Sequence, residues 1–220
     1  DFEGIIDFTV YLDADVRNED ANYGKKFWKE ISREINEDSG VIVARTMKTD
    51  FHVATGMCFR LFKNGKELKV NSTLIDRDKY VGNAFSEKVK PGDELTLIKF
   101  VSVLSSLYNP KDDLIEDVKK RLKEVSSEGY DRLFSGHRKE WEKIWKSSDI
   151  IIEGDAAAQQ AIRFNIFQLN QTYTGKDERL NIGPKGFTGE KYGGSTYWDT
   201  EAFVLPFFLK TADQKVVRNL

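Results

Sequence analysis

The sequence predicts a multidomain β + α protein: part of an N-terminal β-sandwich, then a helical linker, then the first part of a barrel of helices. Three observations predict it. Residues from Phe2 to about Leu104 alternate with period two, those after Asp112 repeat with the 3.6-residue period of helices, and Asn109-Pro110 punctuates the change. The expected division is a partial β-sandwich over 1–104, a helical linker over 105–150 and the start of a helical barrel, truncated, over 151–220.

In the first part, Ile6, Phe8, Val10 and Leu12 alternate with Ile5, Asp7, Thr9 and Tyr11, as a strand with one buried face requires. Val41 to Thr46 is rich in β-branched residues, and His52 to Phe62 runs into Asn64-Gly65, a strong hairpin signal. The return strand is expected over Glu67 to Thr73. Further strands fit Tyr80 to Val89 and Glu94 to Val103, split by a Pro91-Gly92-Asp93 turn. Phe27, Ile31 and Ile35 lie four apart and predict a short helix. Many short strands joined by polar turns favour a sandwich, and the start at Asp1 suggests that earlier strands are missing.

After Pro110 the stripe Leu114, Val118, Leu122 and Val125 predicts a helix over Asp112 to Glu128, acidic early and basic later as its dipole prefers. A second helix is expected from Tyr130 to Ser147. Its Trp141 and Trp145 stand one turn apart, a spacing that belongs more to cores than to ligand platforms. Asp155 is a natural N-cap for a third helix, whose Ile162, Phe164, Ile166, Phe167, Leu169 and Tyr173 cover so much of its circumference that deep burial is expected. A long loop and another helix, from about Trp198 into Leu209, follow, and helix, long loop, helix is how an (α/α) barrel begins.

Composition excludes several functions. With 34 basic against 36 acidic residues the net charge is −2, too even to gather nucleic acid or an acidic membrane. The single cysteine, Cys58, cannot form an internal disulfide, which favours a reducing, cytoplasmic setting. The two histidines, His52 and His137, are far apart in sequence and lack ligand-spaced neighbours, so no metal site is expected, and neither makes Ser195 a nucleophile. The glycines fit neither nucleotide-binding order, and no other cofactor is called for.

One segment carries chemistry. From Asn181 to Phe208 the chain reads NIGPKGFTGEKYGGSTYWDTEAFVLPFF, with five glycines ahead of Trp-Asp-x-Glu. Gly183, Gly186, Gly189, Gly193 and Gly194 permit close backbone approach to a ligand. Tyr192, Tyr197 and Trp198 offer flat apolar faces to the C–H side of a pyranose, and Asp199 and Glu201 offer acceptors for its hydroxyls. The same run also reads as a glycine-rich surface loop entering a core helix. Asp199 and Glu201, two apart on a helix, face different directions and do not form a catalytic pair.

Gly183 to Phe203, GPKGFTGEKYGGSTYWDTEAF, resembles the active-site loop of the disaccharide phosphorylases of glycoside hydrolase family 65, and the resemblance continues through Gln159 to Tyr173 and more loosely into the β-rich half. Many members carry His where this chain has Ser195, and the Ser-Thr-Tyr-Trp spelling resembles the maltose-cleaving branch. The resemblance implies a β-sandwich, a helical linker and a barrel of six α-hairpins, a homodimer, and disaccharide and inorganic phosphate as substrates, with phosphate as co-substrate and no cofactor. It also implies that Trp198 and Asp199 contact the glucosyl unit at the cleaved end, with Glu190, Tyr192, Ser195 and Glu201 as weaker candidates. In the family the general acid is a Glu on a later barrel loop, expected beyond Leu220 together with the phosphate-binding residues. The implied reaction is maltose and phosphate to glucose and β-glucose 1-phosphate. Trehalose or kojibiose phosphorolysis, hydrolysis, or carbohydrate binding without chemistry remain alternatives.

Overall fold

The computed structural model describes residues 2–17, 26–183 and 195–220. The chain divides into two compact units, one ending at Leu133 and the other beginning at Phe134.

The first unit is built on strands β1 (Gly4–Asp13), β2 (Trp28–Ile35), β3 (Ser39–Thr46), β4 (His52–Lys63), β5 (Lys66–Leu68), β6 (Thr73–Arg77), β7 (Tyr80–Val89) and β8 (Leu95–Ser105). They form a three-stranded sheet in the order β1-β7-β6 and a five-stranded sheet in the order β2-β3-β4-β5, with β8 also on β4. The pairings within both sheets are antiparallel. Val10, Leu12, Val81 and Phe85 of the small sheet pack with Ile42, Met57, Phe59 and Leu61 of the large one, which makes the unit a sandwich with its core between the sheets. Phe85 stacks between Phe8 and Phe59 at 5.1 and 5.4 Å between ring centroids. β1 alternates inward and outward as expected. Beyond the narrow sheet the large one is uncovered: Val101 and Val103 of β8, in register with Met57 and Thr55, are 50% and 60% exposed.

The outer face of the large sheet is closed by α1 (Leu114–Glu128), which follows a 3₁₀ turn at Lys111–Asp113. Leu114, Val118 and Leu122 pack on Val41, Val43, Ala54 and Phe100. Gly56 of β4 makes this approach possible, since a Cβ there would stand 2.2 Å from Val118 Cγ1. Two expectations are corrected. Trp28–Ile35 is a strand, not a helix: the pairing of β2 with β3 shifts register between Glu30 and Ser32, and this bulge leaves Ile31 outward and 44% exposed, which imitates a four-residue spacing. The hairpin at Asn64-Gly65 forms, both residues at positive φ, but its return strand is only Lys66–Leu68, and the chain then crosses to the other sheet as β6.

The second unit holds most of α2 (Tyr130–Ser148), then α3 (Ala156–Thr172), a π-helical turn (Thr200–Val204), α4 (Leu205–Thr211) and α5 (Gln214–Arg218). Asp155 caps α3, accepting from the Ala158 N–H at 2.9 Å. Trp141 of α2 meets Phe167 of α3 at 4.9 Å, and Asp149 holds Arg163 through two hydrogen bonds. The core of this unit is Tyr173, Ile182 and Phe208, flanked by Val204, Phe207, Val216 and Val217. Deep burial of α3 is not observed: Ile166 alone on this helix is buried, and Phe164 is 58% exposed, because the helices of this unit cover a single side of it. Among the described residues no helix is long and apolar enough to cross a membrane.

Candidate functional site

The site is built where the chain turns from Ile182 back into helix at Thr200. Ile182 is buried beside Tyr173 and Phe208, so its side chain anchors the segment in the core of the second unit. Its carbonyl accepts a 2.9 Å hydrogen bond from the buried Thr200 hydroxyl, eighteen residues on. Asn181 adds a second tie by donating to Thr196 Oγ1 at 2.5 Å. Before them, Arg179 grips the Asp177 carboxylate with Nε and Nη2 at 2.9 and 2.7 Å.

Thr200 is also a backbone hub. Its N–H donates to the Tyr197 carbonyl at 3.1 Å, and its own carbonyl accepts from the Leu205 N–H, five residues ahead. The Ala202 N–H donates to the Trp198 carbonyl at 3.0 Å. Trp198 and Asp199 therefore sit inside one hydrogen-bonded turn. The turn is wide because Pro206 follows: in a regular α-helix its ring would meet the Ala202 carbonyl, and it has no N–H to give. Single π-turns of this kind recur at functional sites.

The side chains on this turn divide sharply. Trp198 is 69% exposed and leans on Phe203 at 5.8 Å, and Tyr197 is 42% exposed. Asp199 is half-buried and, although it heads the helical turn, its carboxylate makes no capping hydrogen bond. Ser195 and Glu201 are exposed. The structure thus brings Ser195, Trp198, Asp199 and Glu201 to one short stretch, with an aromatic face beside an uncapped carboxylate. Glu190 and Tyr192 lie outside the described residues. Sequence reasoning missed Thr200, whose tie is to a carbonyl eighteen residues back and leaves no local signal, and Pro206, whose position predicts the widened turn.

Other features do not converge here. A cavity of about 620 Å³ in the second unit is lined by Asn170, Tyr173, Lys176, Phe208 and Lys210, among others, and by neither Trp198 nor Asp199. Burial pushes the Tyr173 phenol up, and its buried oxygen has no hydrogen-bond partner among the described residues. Among the described residues no group of His, Cys, Asp and Glu is placed to hold a metal ion. His52 instead contacts Asp50 at 3.1 Å in the first unit. Burial raises the Cys58 thiol, as expected of a packing residue.

The described residues thus form a sandwich followed by helices, with Trp198 and Asp199 on the turn that re-enters helix. Residues 1–144 match the N-terminal domain of glycosyl hydrolase family 65, and residues 163–220 match its central catalytic domain. The chain belongs to this family. It is 40% identical over 218 residues to the maltose phosphorylase of Bacillus subtilis, covering 99% of this chain and 28% of that protein. It is 33% identical to the α,α-trehalose phosphorylase of Thermoanaerobacter brockii, covering 96% and 28%. The chain therefore spans little more than a quarter of the length of these relatives. A solved structure from human microbiome that carries the name of a kojibiose phosphorylase superposes over the whole chain with a TM-score of 0.84 at 24% identity, a likeness of fold.

Proposed function

We propose that this chain is part of an inverting disaccharide phosphorylase that converts maltose and phosphate to glucose and β-glucose 1-phosphate. The observation that carries the reading is the Asp199 carboxylate, which makes no capping hydrogen bond, next in sequence to the exposed Trp198 ring on a turn tied to Ile182 through Thr200. The greater identity to a maltose phosphorylase than to a trehalose phosphorylase favours maltose.

In this reading Trp198 stacks on the C–H face of the glucosyl unit and Asp199 accepts from its hydroxyls, fixing the ring for attack. A phosphate oxygen bonds to the anomeric carbon from the face opposite the leaving sugar. The glycosidic C–O bond breaks, and a carboxylic acid protonates the departing oxygen, so the α-linkage becomes a β-phosphate. Phosphate is already an anionic nucleophile, so no strong base is needed. The acid and the phosphate-binding residues are assigned to chain beyond Leu220, on later loops of a six-hairpin (α/α) barrel that begins near residue 151. Residues 1–104 form the sandwich part and 105–150 the linker. A cytoplasmic homodimer without cofactor completes the proposal.

The test is phosphate-dependent release of β-glucose 1-phosphate by the full-length protein across maltose, trehalose, nigerose and kojibiose. Preference for maltose with inversion is expected. Sugar release that ignores phosphate would make the protein a hydrolase, and sugar binding without turnover would make it a carbohydrate-binding protein.

A further inference from the structure

The Thr200 hydroxyl is placed where it could do more than pack. It is buried, 6% exposed, and donates to the carbonyl of Ile182, whose side chain is fixed in the core of the second unit. The same residue fixes the turn on either side of itself, through its N–H to Tyr197 and its carbonyl to Leu205. Asp199 and Trp198 precede it directly, and among the described residues Asp199 makes no capping hydrogen bond while Trp198 packs on Phe203. Their placement is thus inherited from Thr200.

We propose that Thr200 is a positioning residue for disaccharide binding, acting through its hydrogen bond to the Ile182 carbonyl, which sets where Trp198 and Asp199 stand. This inference rests on the reading that Trp198 and Asp199 bind the glucosyl unit. A hydroxyl is required and a methyl is not. Replacing Thr200 with Val keeps the volume but removes the hydroxyl that donates to the Ile182 carbonyl, so the turn is released from its anchor. Asn181, through Thr196, is the weaker second tie, since both residues are exposed and water competes with their bond.

The test uses the full-length protein and compares Thr200→Val, Thr200→Ser, Asn181→Ala and Asp199→Asn by KM for maltose, KM for phosphate and thermal melting. Thr200→Val is expected to raise the maltose KM by about three- to tenfold, the equivalent of one lost hydrogen bond, with the phosphate KM unchanged. Thr200→Ser should restore the wild-type value, and Asn181→Ala should raise the maltose KM by about two- to threefold without changing the melt. If Thr200→Val does not fold, the Ser and Asn181→Ala arms decide. A wild-type maltose KM in Thr200→Val, equal losses in the Val and Ser variants, or equal rises in both KM values would overturn the positioning role. A full effect of Asp199→Asn beside a silent Thr200→Val would overturn it alone, whereas a silent Asp199→Asn would remove the binding reading beneath it.

Discussion

The amide of Leu205 donates to the carbonyl of Thr200, five residues back, and the residue after Leu205 is Pro206. One extra residue in the turn rotates everything before it by about 100° relative to a regular helix, because each α-helical residue advances about a quarter-turn or slightly more. The direction in which Trp198 and Asp199 point is therefore coupled to a proline in the first turn of α4, seven residues after Asp199.

Pro206→Ala tests this coupling. Alanine restores a donor and removes the ring that disfavours a four-residue step, so the turn is expected to relax toward α-helix with an unchanged or higher melting temperature. The maltose KM of the full-length protein should nevertheless rise by about tenfold or more, since contacts to the sugar lose their geometry. Kinetics and a thermal melt on the same preparation check it; a wild-type KM would show that the widened turn is incidental.

Gly175 joins the end of α3 to α5. Its φ is +64°, a Cβ there would lie 2.6 Å from Val216 Cα, and its carbonyl accepts from Asn219 Nδ2 at 2.8 Å. Gly175→Ala should cost about 1–3 kcal/mol from crowding alone, with left-handed strain adding to it. Chemical denaturation would show the loss, and α5 should lose protection from hydrogen exchange first.

Asp50 has a carboxyl lowered to about 2, first by the hydrogen bond from Lys111 and then by that from His52. An unfolded aspartate titrates near 3.9, so the contribution of these pairs is complete above about pH 4 and is lost as pH falls through about 2. Proton-resolved titration of Asp50 should give a midpoint near 2, and Lys111→Ala should move that midpoint upward. A midpoint near 4 in the unmodified protein would contradict the pairing.

How much of this was legible in the sequence depends on whether a residue's environment is local. β1 was readable because alternation alone decides which side chain faces Met57 and Phe59. Asp155 was readable because its partner, Ala158, is three residues away. Ile31 was misread because a bulge depends on register with β3, which no local pattern carries. The exposure of Phe164 was misread because hydrophobicity states that a side chain prefers cover, not that cover is supplied within these residues. At the candidate site, Trp198 and Asp199 stood out by type, whereas Thr200 earned its place only through a carbonyl eighteen residues away.

The central claim is that Asp199 binds substrate rather than caps a helix, and Asp199→Asn in the full-length protein tests it most directly. Asparagine caps a helix as well as aspartate, so a structural role predicts little change. Loss of a charge-assisted hydrogen bond to a sugar hydroxyl, about 1.5–3 kcal/mol, predicts a fall in kcat/KM for maltose phosphorolysis of roughly tenfold to a few hundredfold. The melting temperature should stay within a degree or two of wild type. That combination is the expected result; wild-type kcat/KM with an intact fold would contradict the account.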